Sequence, residues 1–148
     1  MRAVVQRVTE ASVTVDGETV GAIRDGLCVL LGVSVDDGEA DADYITDKLL
    51  ALHIFDDENS VPNRSVCDIG GAILLISQFT LLGDARKGRR PSYFFAARPE
   101  KAIPLYERCI ERLKAAVPVE TGRFGADMKV SIQNDGPFTI LLDSKKGF

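Results

Sequence analysis

Three short polar segments hold the side chains whose types and spacing could do chemistry. Ser77-Gln78-Phe79-Thr80-Leu81 closes a strongly apolar run that begins at Ala72. A hydroxyl at the end of buried β-structure can serve as a nucleophile, and the N–H groups beside it can hold an oxyanion. The same string also reads as a strand alternating polar and apolar residues, and composition alone favours that plainer reading. The second segment, Arg86-Lys87-Gly88-Arg89-Arg90-Pro91-Ser92, packs four cations into five residues. Such a loop suits a phosphate backbone, and equally suits plain solvation. The third, Asn134-Asp135-Gly136-Pro137-Phe138-Thr139, reads locally as a hairpin turn. A proline there can take a cis bond, a selected feature of tight turns.

The usual catalytic sets are missing. The one histidine, His53, ends a helical pattern, where the helix dipole favours a cation. A Ser-His-Asp triad would have to be built around it, and nothing in the sequence places a nucleophile nearby. No HExxH, P-loop or GxGxxG string occurs. The three cysteines, Cys28, Cys67 and Cys109, are widely spaced and contain no C-x-x-C pair. Cys28 and Cys109 read as small core residues. Cys67 lies in a loop-like stretch, which leaves a thiol hydrolase as a weak alternative. No metal-ligand cluster is visible, so neither a metal nor a tightly held cofactor is expected.

The elements that must position these segments follow from periodicity. Val4–Val15 alternates and is rich in valine and threonine, then Asp16-Gly17 precedes Glu18–Ile23. An Asp-Gly pair between two β-prone runs signals a hairpin. Leu27–Val33 is apolar on both faces, as a buried strand is. Asp36, Asp37 and Glu39 favour a helix start, and Ile45, Leu49 and Leu52 form one face of that helix. Asp56–Asn63 reads as a turn-rich loop, and Ala72–Leu82 as one long strand. Pro99 suits a first helical turn, and Ile103, Tyr106, Ile110, Leu113 and Val117 recur with 3-4-3-4 spacing. Pro104 requires that this helix start close by or bend. Lys129–Gln133 and Phe138–Leu142 read as two further strands.

With 148 residues, 45% hydrophobic and 27% charged, the chain has the size and make-up of one soluble domain. The expectation is a single α+β domain over 1–148, mostly antiparallel strands with two main helices. The opening Met1–Thr9 is broken by Arg2, Gln6 and Arg7, unlike a secretory signal. The longest apolar run, Ala72–Ile76, is too short for a membrane span. A soluble, cytoplasmic location without a membrane partner is expected. The net charge of −4 argues weakly against a nucleic-acid partner, although a local basic stripe can still bind phosphates.

Taken in order, the motifs resemble those of the D-aminoacyl-tRNA deacylases. SQFTL at Ser77–Leu81 and NDGPFT at Asn134–Thr139 are similar to the two signature motifs of that family. The likeness extends to QRVTEASVTV (Gln6–Val15), LLGV (Leu30–Val33), GRRPS (Gly88–Ser92) and TGRFGADM (Thr121–Met128). The resemblance implies a barrel-like β-domain with helices packed outside, forming a two-fold homodimer with the active site at the subunit interface. It implies that Ser77, Gln78, Phe79 and Thr80 of one subunit form the pocket for the terminal adenosine and the ester. Gly136-Pro137 would enter from the other subunit with a cis bond, held in place by Arg7. Carbonyl oxygens of that dipeptide would accept hydrogen bonds from the substrate ammonium and fill the space an L side chain needs. Glycine would escape such a filter, so glycine mischarged on tRNA is an implied substrate. Because the basic loop follows the SQFTL strand directly in sequence, Lys87, Arg89 and Arg90 are expected to meet the acceptor-stem phosphates. Phe138 departs from the family pattern, in which many members carry valine. The competing readings are a related editing deacylase of different chirality preference and a nucleic-acid-binding module without turnover.

Overall fold

A computed structural model describes residues 1–148. The chain runs β1 (Arg2–Val15), β2 (Glu18–Ile23), β3 (Gly26–Gly32), α1 (Glu39–Ala51), β4 (Phe55–Asp56), β5 (Pro62–Arg64), β6 (Ala72–Ser77), a 3-10 turn (Phe79–Leu82), α2 (Pro99–Lys114), β7 (Val119–Thr121) and β8 (Lys129–Asp143). β1 is the organising strand. Along one edge it pairs antiparallel with β8 from Arg2 to Thr14. Along the other it pairs first with β3, from Arg2 to Val8, and then with β2, from Ala11 to Val15. β6 joins β3 in parallel and β7 joins β6 in parallel, giving the order β2-β1-β3-β6-β7.

The two ends of that order curl toward each other. Gly21 of β2 lies against β7 so closely that a Cβ there would sit 2.6 Å from the Thr121 carbonyl oxygen. The sheet is therefore a nearly closed barrel, with mostly antiparallel pairings as the sequence suggested.

Both faces of the central strands are buried, which explains their unbroken apolar composition. Leu27, Val29, Leu31, Ile73 and Leu75 face the helices, together with Ile45 and Leu49 of α1 and Leu105, Cys109 and Leu113 of α2. Cys28, Leu74 and Ile76 point the other way, into the barrel with Val8, Val13 and Ile23. Cys28 and Cys109 are thus core residues, and burial pushes each thiol up to about 12. α2 begins at Pro99, so Pro104 sits in its second turn on the exposed face, where solvent can reach the carbonyl left without an N–H.

Three readings of local structure need correction. The 72–82 run is not one strand: pairing with β3 ends at Ser77, and the chain then tightens into the 3-10 turn. Residues 56–63 hold a small β4–β5 ladder, and Val119–Thr121 is a strand too short to leave a periodic signal. Residues 134–137 do not form a hairpin: β8 continues along β1 on both sides of them.

The start of α1 is also wired differently from expectation. Asp37 is not a solvated helix-start charge but is 2% exposed, accepting from the Met1 amine at 2.6 Å and the Ser34 N–H at 2.7 Å. Asp41 caps instead, accepting from the Gly38 N–H and from Ser144 Oγ. Partial burial raises the Asp41 carboxyl, but the Ser144 and Gly38 hydrogen bonds and the Lys145 ammonium outweigh it, bringing it from 3.8 to about 2. A lowered carboxylate pKa stabilises the fold above the unfolded value and loses that effect as pH falls through the folded one. Stability should therefore decline from 3.8 toward about 2. Asp41→Asn should flatten that part of the profile in urea titrations run at stepped pH. An unchanged slope would show that the Asp41 contacts do not hold in solution.

Candidate active site

Ser77 and Gln78 are half-buried at the end of β6, while Phe79 and Thr80 stand exposed on the following turn. The turn exists because the chain must leave the β3–β6 ladder without losing its support. The Gln78 N–H still donates to the Leu31 carbonyl at 2.8 Å, and Leu81 and Gly83 close the turn onto Gln78 and Thr80. The Gln78 side-chain amide donates to the Thr80 hydroxyl. Arg2 Nη1 donates to the Leu81 carbonyl at 3.1 Å, tying the turn to β1. In a short helix the first N–H groups have no acceptor within it, and here those belong to Phe79 and Thr80. Two neighbouring N–H groups left free in this way can stabilise developing negative charge.

Gly32 makes the arrangement possible. A Cβ at that position would lie 2.7 Å from Leu82 Cδ2, 2.9 Å from the Gln78 carbonyl oxygen and 3.1 Å from Leu81 Cβ. Only a residue without a side chain lets β3 carry the turn so closely.

Beside the turn is a cleft of about 250 Å³, walled by Phe79, Ala102, Tyr106, Phe124, Met128 and Val130 with Ser77 and Gln78 at its polar end. It lies just under the roughly 300–1,000 Å³ of sites for drug-sized ligands, which suits one small planar group. Tyr106 is fixed there by a 2.7 Å hydrogen bond from its hydroxyl to the Leu75 carbonyl, and its ring approaches Phe124 at 6.0 Å. The walls from Ala102, Tyr106, Phe124 and Met128 were not singled out from sequence. Tyr106 belongs to what reads as an ordinary helix stripe, and Ala102 lies just outside that stripe. Phe124 and Met128 lie in TGRFGADM, which carried the family likeness but no chemical cue of its own.

The Gly136-Pro137 segment is an outward bulge of β8. Between the pairs Gln6–Thr139 and Val8–Asn134, β1 advances two residues and β8 five, so three extra residues must leave the ladder. The peptide between Gly136 and Pro137 is cis. Gly136 has φ 132°, a conformation that favours glycine, and a Cβ there would also press on Arg7 Nη2 at 3.1 Å.

Arg7 is the prop. Its Nε donates to the Asp135 carbonyl at 3.1 Å, its Nη1 donates to the Ile54 carbonyl at 2.8 Å, and its guanidinium lies 4.8 Å from the centre of the Phe138 ring. The Phe138 ring, half-buried against the core, thus forms a floor under Arg7. Asn134 closes the bulge: its Oδ1 accepts from the Phe138 N–H, and its Nδ2 donates to the Thr139 hydroxyl, both at 2.9 Å.

The other candidates are scattered. His53 is exposed past the end of α1, where it lies near Asp68, and it makes no hydrogen bond to a serine or threonine of the SQFTL turn. Cys67 is exposed in the 65–70 turn, with the Leu50 carbonyl as its only partner. Lys87, Arg89 and Arg90 are exposed on a loop whose neck is the Asp84–Ser92 bridge.

The profile of the family described as D-Tyr-tRNA(Tyr) deacylase matches residues 4–143. The chain belongs to the D-aminoacyl-tRNA deacylase family. A D-aminoacyl-tRNA deacylase of Caldicellulosiruptor bescii is 60% identical over 149 residues, covering 100% of both chains. One of Symbiobacterium thermophilum is 58% identical, covering 100% of this chain and 99% of its own. Among solved structures, one described as a c-Myc DNA unwinding element binding protein superposes with TM-score 0.91 at 46% identity, covering 97% of this chain and 98% of its own. A probable eukaryotic D-amino acid tRNA deacylase shares the fold, with TM-score 0.80 at 18% identity over 95% of this chain and 97% of its own.

Gly32→Val provides a test of how the turn is held. Overpacking costs about 1–3 kcal/mol, so the protein should still fold in urea titrations. Displacement of the Gln78–Thr80 backbone should reduce deacylase activity far more than that loss of stability would. Full activity in the folded variant would mean that the close approach of Gly32 does not set the turn.

Proposed function

We propose that the chain hydrolyses the ester of D-aminoacyl-tRNA, and of glycine mischarged on tRNA, using the SQFTL turn of one subunit and the Gly136-Pro137 bulge of a second. Membership of the family makes the chain a D-aminoacyl-tRNA deacylase, a hydrolase. The observation that carries the two-subunit reading is the separation of the two segments along β1. Arg2 binds the turn at Leu81 and Arg7 binds the bulge at Asp135. Five residues of extended strand separate those anchors, roughly 16 Å. Phe79 and Thr80 of the turn and Gly136 and Pro137 of the bulge are exposed, and a second copy can bring the two together.

β8 supports the same reading. It pairs only with β1, so its outer edge is open along its length, and it exposes Ile132 and Leu141. A long open edge with apolar side chains is a surface that folded proteins cover.

In the proposed site the terminal base occupies the cleft beside Phe79, and the ester lies over the turn. Water adds to the ester carbonyl and the bond to the ribose oxygen breaks, releasing the amino acid and the tRNA. Free N–H groups of Phe79 and Thr80 hold the oxyanion, and the neighbouring ribose hydroxyl takes part in proton movement. No side-chain nucleophile is required. Carbonyl oxygens of Gly136 and Pro137 hold the substrate ammonium and leave no room for an L side chain.

The first test is deacylation of D-tyrosyl-tRNA beside L-tyrosyl-tRNA. Fast release of D-tyrosine alone is expected. Release of L-tyrosine would refute the steric filter, and release of neither would point to a binding module. Thr80→Ser should keep most of the activity, because the hydroxyl shapes the pocket and does not attack. Complete loss in a folded Thr80→Ser protein would contradict that role.

A further inference from the structure

Next to the basic loop lies an exposed aromatic cluster that the proposed chemistry leaves unused. Phe94 is 79% exposed, more than any other large apolar side chain in the chain, and Tyr93 and Phe95 flank it at 40% and 44%. The cluster is not a loose tail. The Ala96 N–H donates to the Tyr93 carbonyl at 3.0 Å, which makes 93–96 a tight turn with Phe94 and Phe95 at its tip. Before the turn, Asp84 and Ser92 exchange backbone hydrogen bonds at 2.7 and 2.9 Å; after it, the Ala97 N–H donates to Val33 and the Val35 N–H to Phe95. The Phe95 ring stands edge-on to Phe94 at 5.5 Å. Phe94 is thus displayed to solvent by a turn pinned on both sides.

Two neighbours give this display a direction. On one side, Tyr93 touches Phe79 of the candidate site edge-on at 5.1 Å, so the aromatic row is continuous with the cleft. On the other, the Asp84–Ser92 neck carries the basic tip. Arg86 is not available there, because its guanidinium makes two bonds to the Asp84 carboxylate, at 2.8 and 2.7 Å. The cations of the groove of about 500 Å³ beneath the loop are likewise engaged: Arg2 with Asp143 and Lys145 with Asp41. Lys87, Arg89 and Arg90 are exposed and pair with no carboxylate. Unpaired cations beside exposed rings form the chemistry that binds single-stranded nucleic acid, phosphates to the cations and bases to the rings.

We propose that Phe94, on the turn that follows the loop carrying Lys87, Arg89 and Arg90, is a stacking platform for an unpaired base just inside the 3′ end of the tRNA. This rests on the reading that the terminal nucleotide lies beside Phe79. One strand then runs from the cleft past Tyr93 to Phe94, with its phosphates facing the loop. Stacking on a ring tolerates any base, so the platform contributes affinity and position without choosing among tRNAs.

The chain contains no tryptophan, so Phe94→Trp places a single tryptophan at the platform, excited selectively over the tyrosines. Uncharged tRNA should quench that fluorophore, and a tRNA trimmed of its unpaired 3′ nucleotides should not. In parallel, Phe94→Ala should weaken uncharged-tRNA binding about tenfold, within the range for loss of one stacked base. Its KM for D-tyrosyl-tRNA should rise about ten times more than its KM for D-tyrosyl-adenosine, which lacks the inner nucleotides. Lys87→Ala and Arg89→Ala should each reduce the salt dependence of tRNA binding.

Equal quenching by whole and trimmed tRNA would overturn the proposal, as would equal effects of Phe94→Ala on the two substrates. A change in sedimentation mass in Phe94→Ala would assign the ring to a contact between subunits, and would also overturn it. If the unaltered protein cleaves neither D-tyrosyl-tRNA nor D-tyrosyl-adenosine, the functional reading itself fails. If it cleaves both and Phe94→Ala does the same at equal cost, only the platform fails.

Discussion

β1 is shared by three partners, and the rest of the molecule is arranged around that sharing. One edge is occupied by β8 throughout, while the other passes from β3 to β2 part-way along. This handover bends the sheet into a barrel, because β3 leads on through β6 to β7, which returns to β2. It also gives the two candidate segments a common reference. Arg2 reaches the turn after β6, and Arg7 reaches the bulge in β8. Two guanidinium groups on one strand thereby index backbone carbonyls belonging to distant parts of the sequence. Each bond joins a charged donor to a neutral acceptor, a stronger class of hydrogen bond than a neutral pair.

The site proposed on this frame consists of main chain more than side chain. Its tight places are a glycine under the turn and a glycine in the bulge, and its rings serve as walls. The conspicuous titratable groups do other work. Asp37 and Asp41 hold the chain start and the first helix, Asp84 engages Arg86, and the buried thiols are raised well above neutrality. A mechanism built from preorganised N–H and C=O groups accords with this distribution, since such dipoles need no reorganisation as charge develops.

Much of the fold was legible in the sequence because burial leaves a period. β3 and β6 are covered on both faces and read as continuous apolar runs, while α2 shows its stripe. The short elements were not legible. β7 contributes three residues, and its place depends on β6 lying alongside, a long-range fact without local trace. The break after Ser77 was hidden because Leu81 and Leu82 extend the apolar run, although Leu82 is buried by the turn packing on Gly32. The hairpin expected at Asn134–Pro137 failed for a related reason. Turn-forming residues specify a local departure from extended chain, but not whether the chain comes back alongside itself or resumes its course. In this protein the resumption is imposed by β1, a partner more than a hundred residues away. The SQFTL and NDGPFT strings marked the turn after β6 and the bulge in β8, while the aromatic walls of the cleft carried no signal beyond ordinary core composition.

The bulge in β8 has no hinge. A flap that closes over a substrate swings on a few backbone torsions at its base, on timescales of nanoseconds to microseconds for ordinary loops. Here the ladder with β1 stops at Asn134 and resumes at Thr139, so both ends of the bulge are held by strand pairing, and its interior is tied by Asn134 and Arg7. Movement of the tip therefore has to break the Arg7 and Asn134 hydrogen bonds that tie it down. Whatever meets this tip meets a fixed template, and the accommodation has to come from the visitor. In the proposed function the visitor is the single-stranded end of a tRNA, which has that slack in abundance, so the flexible partner would bear the entropy of fitting while the protein keeps its shape.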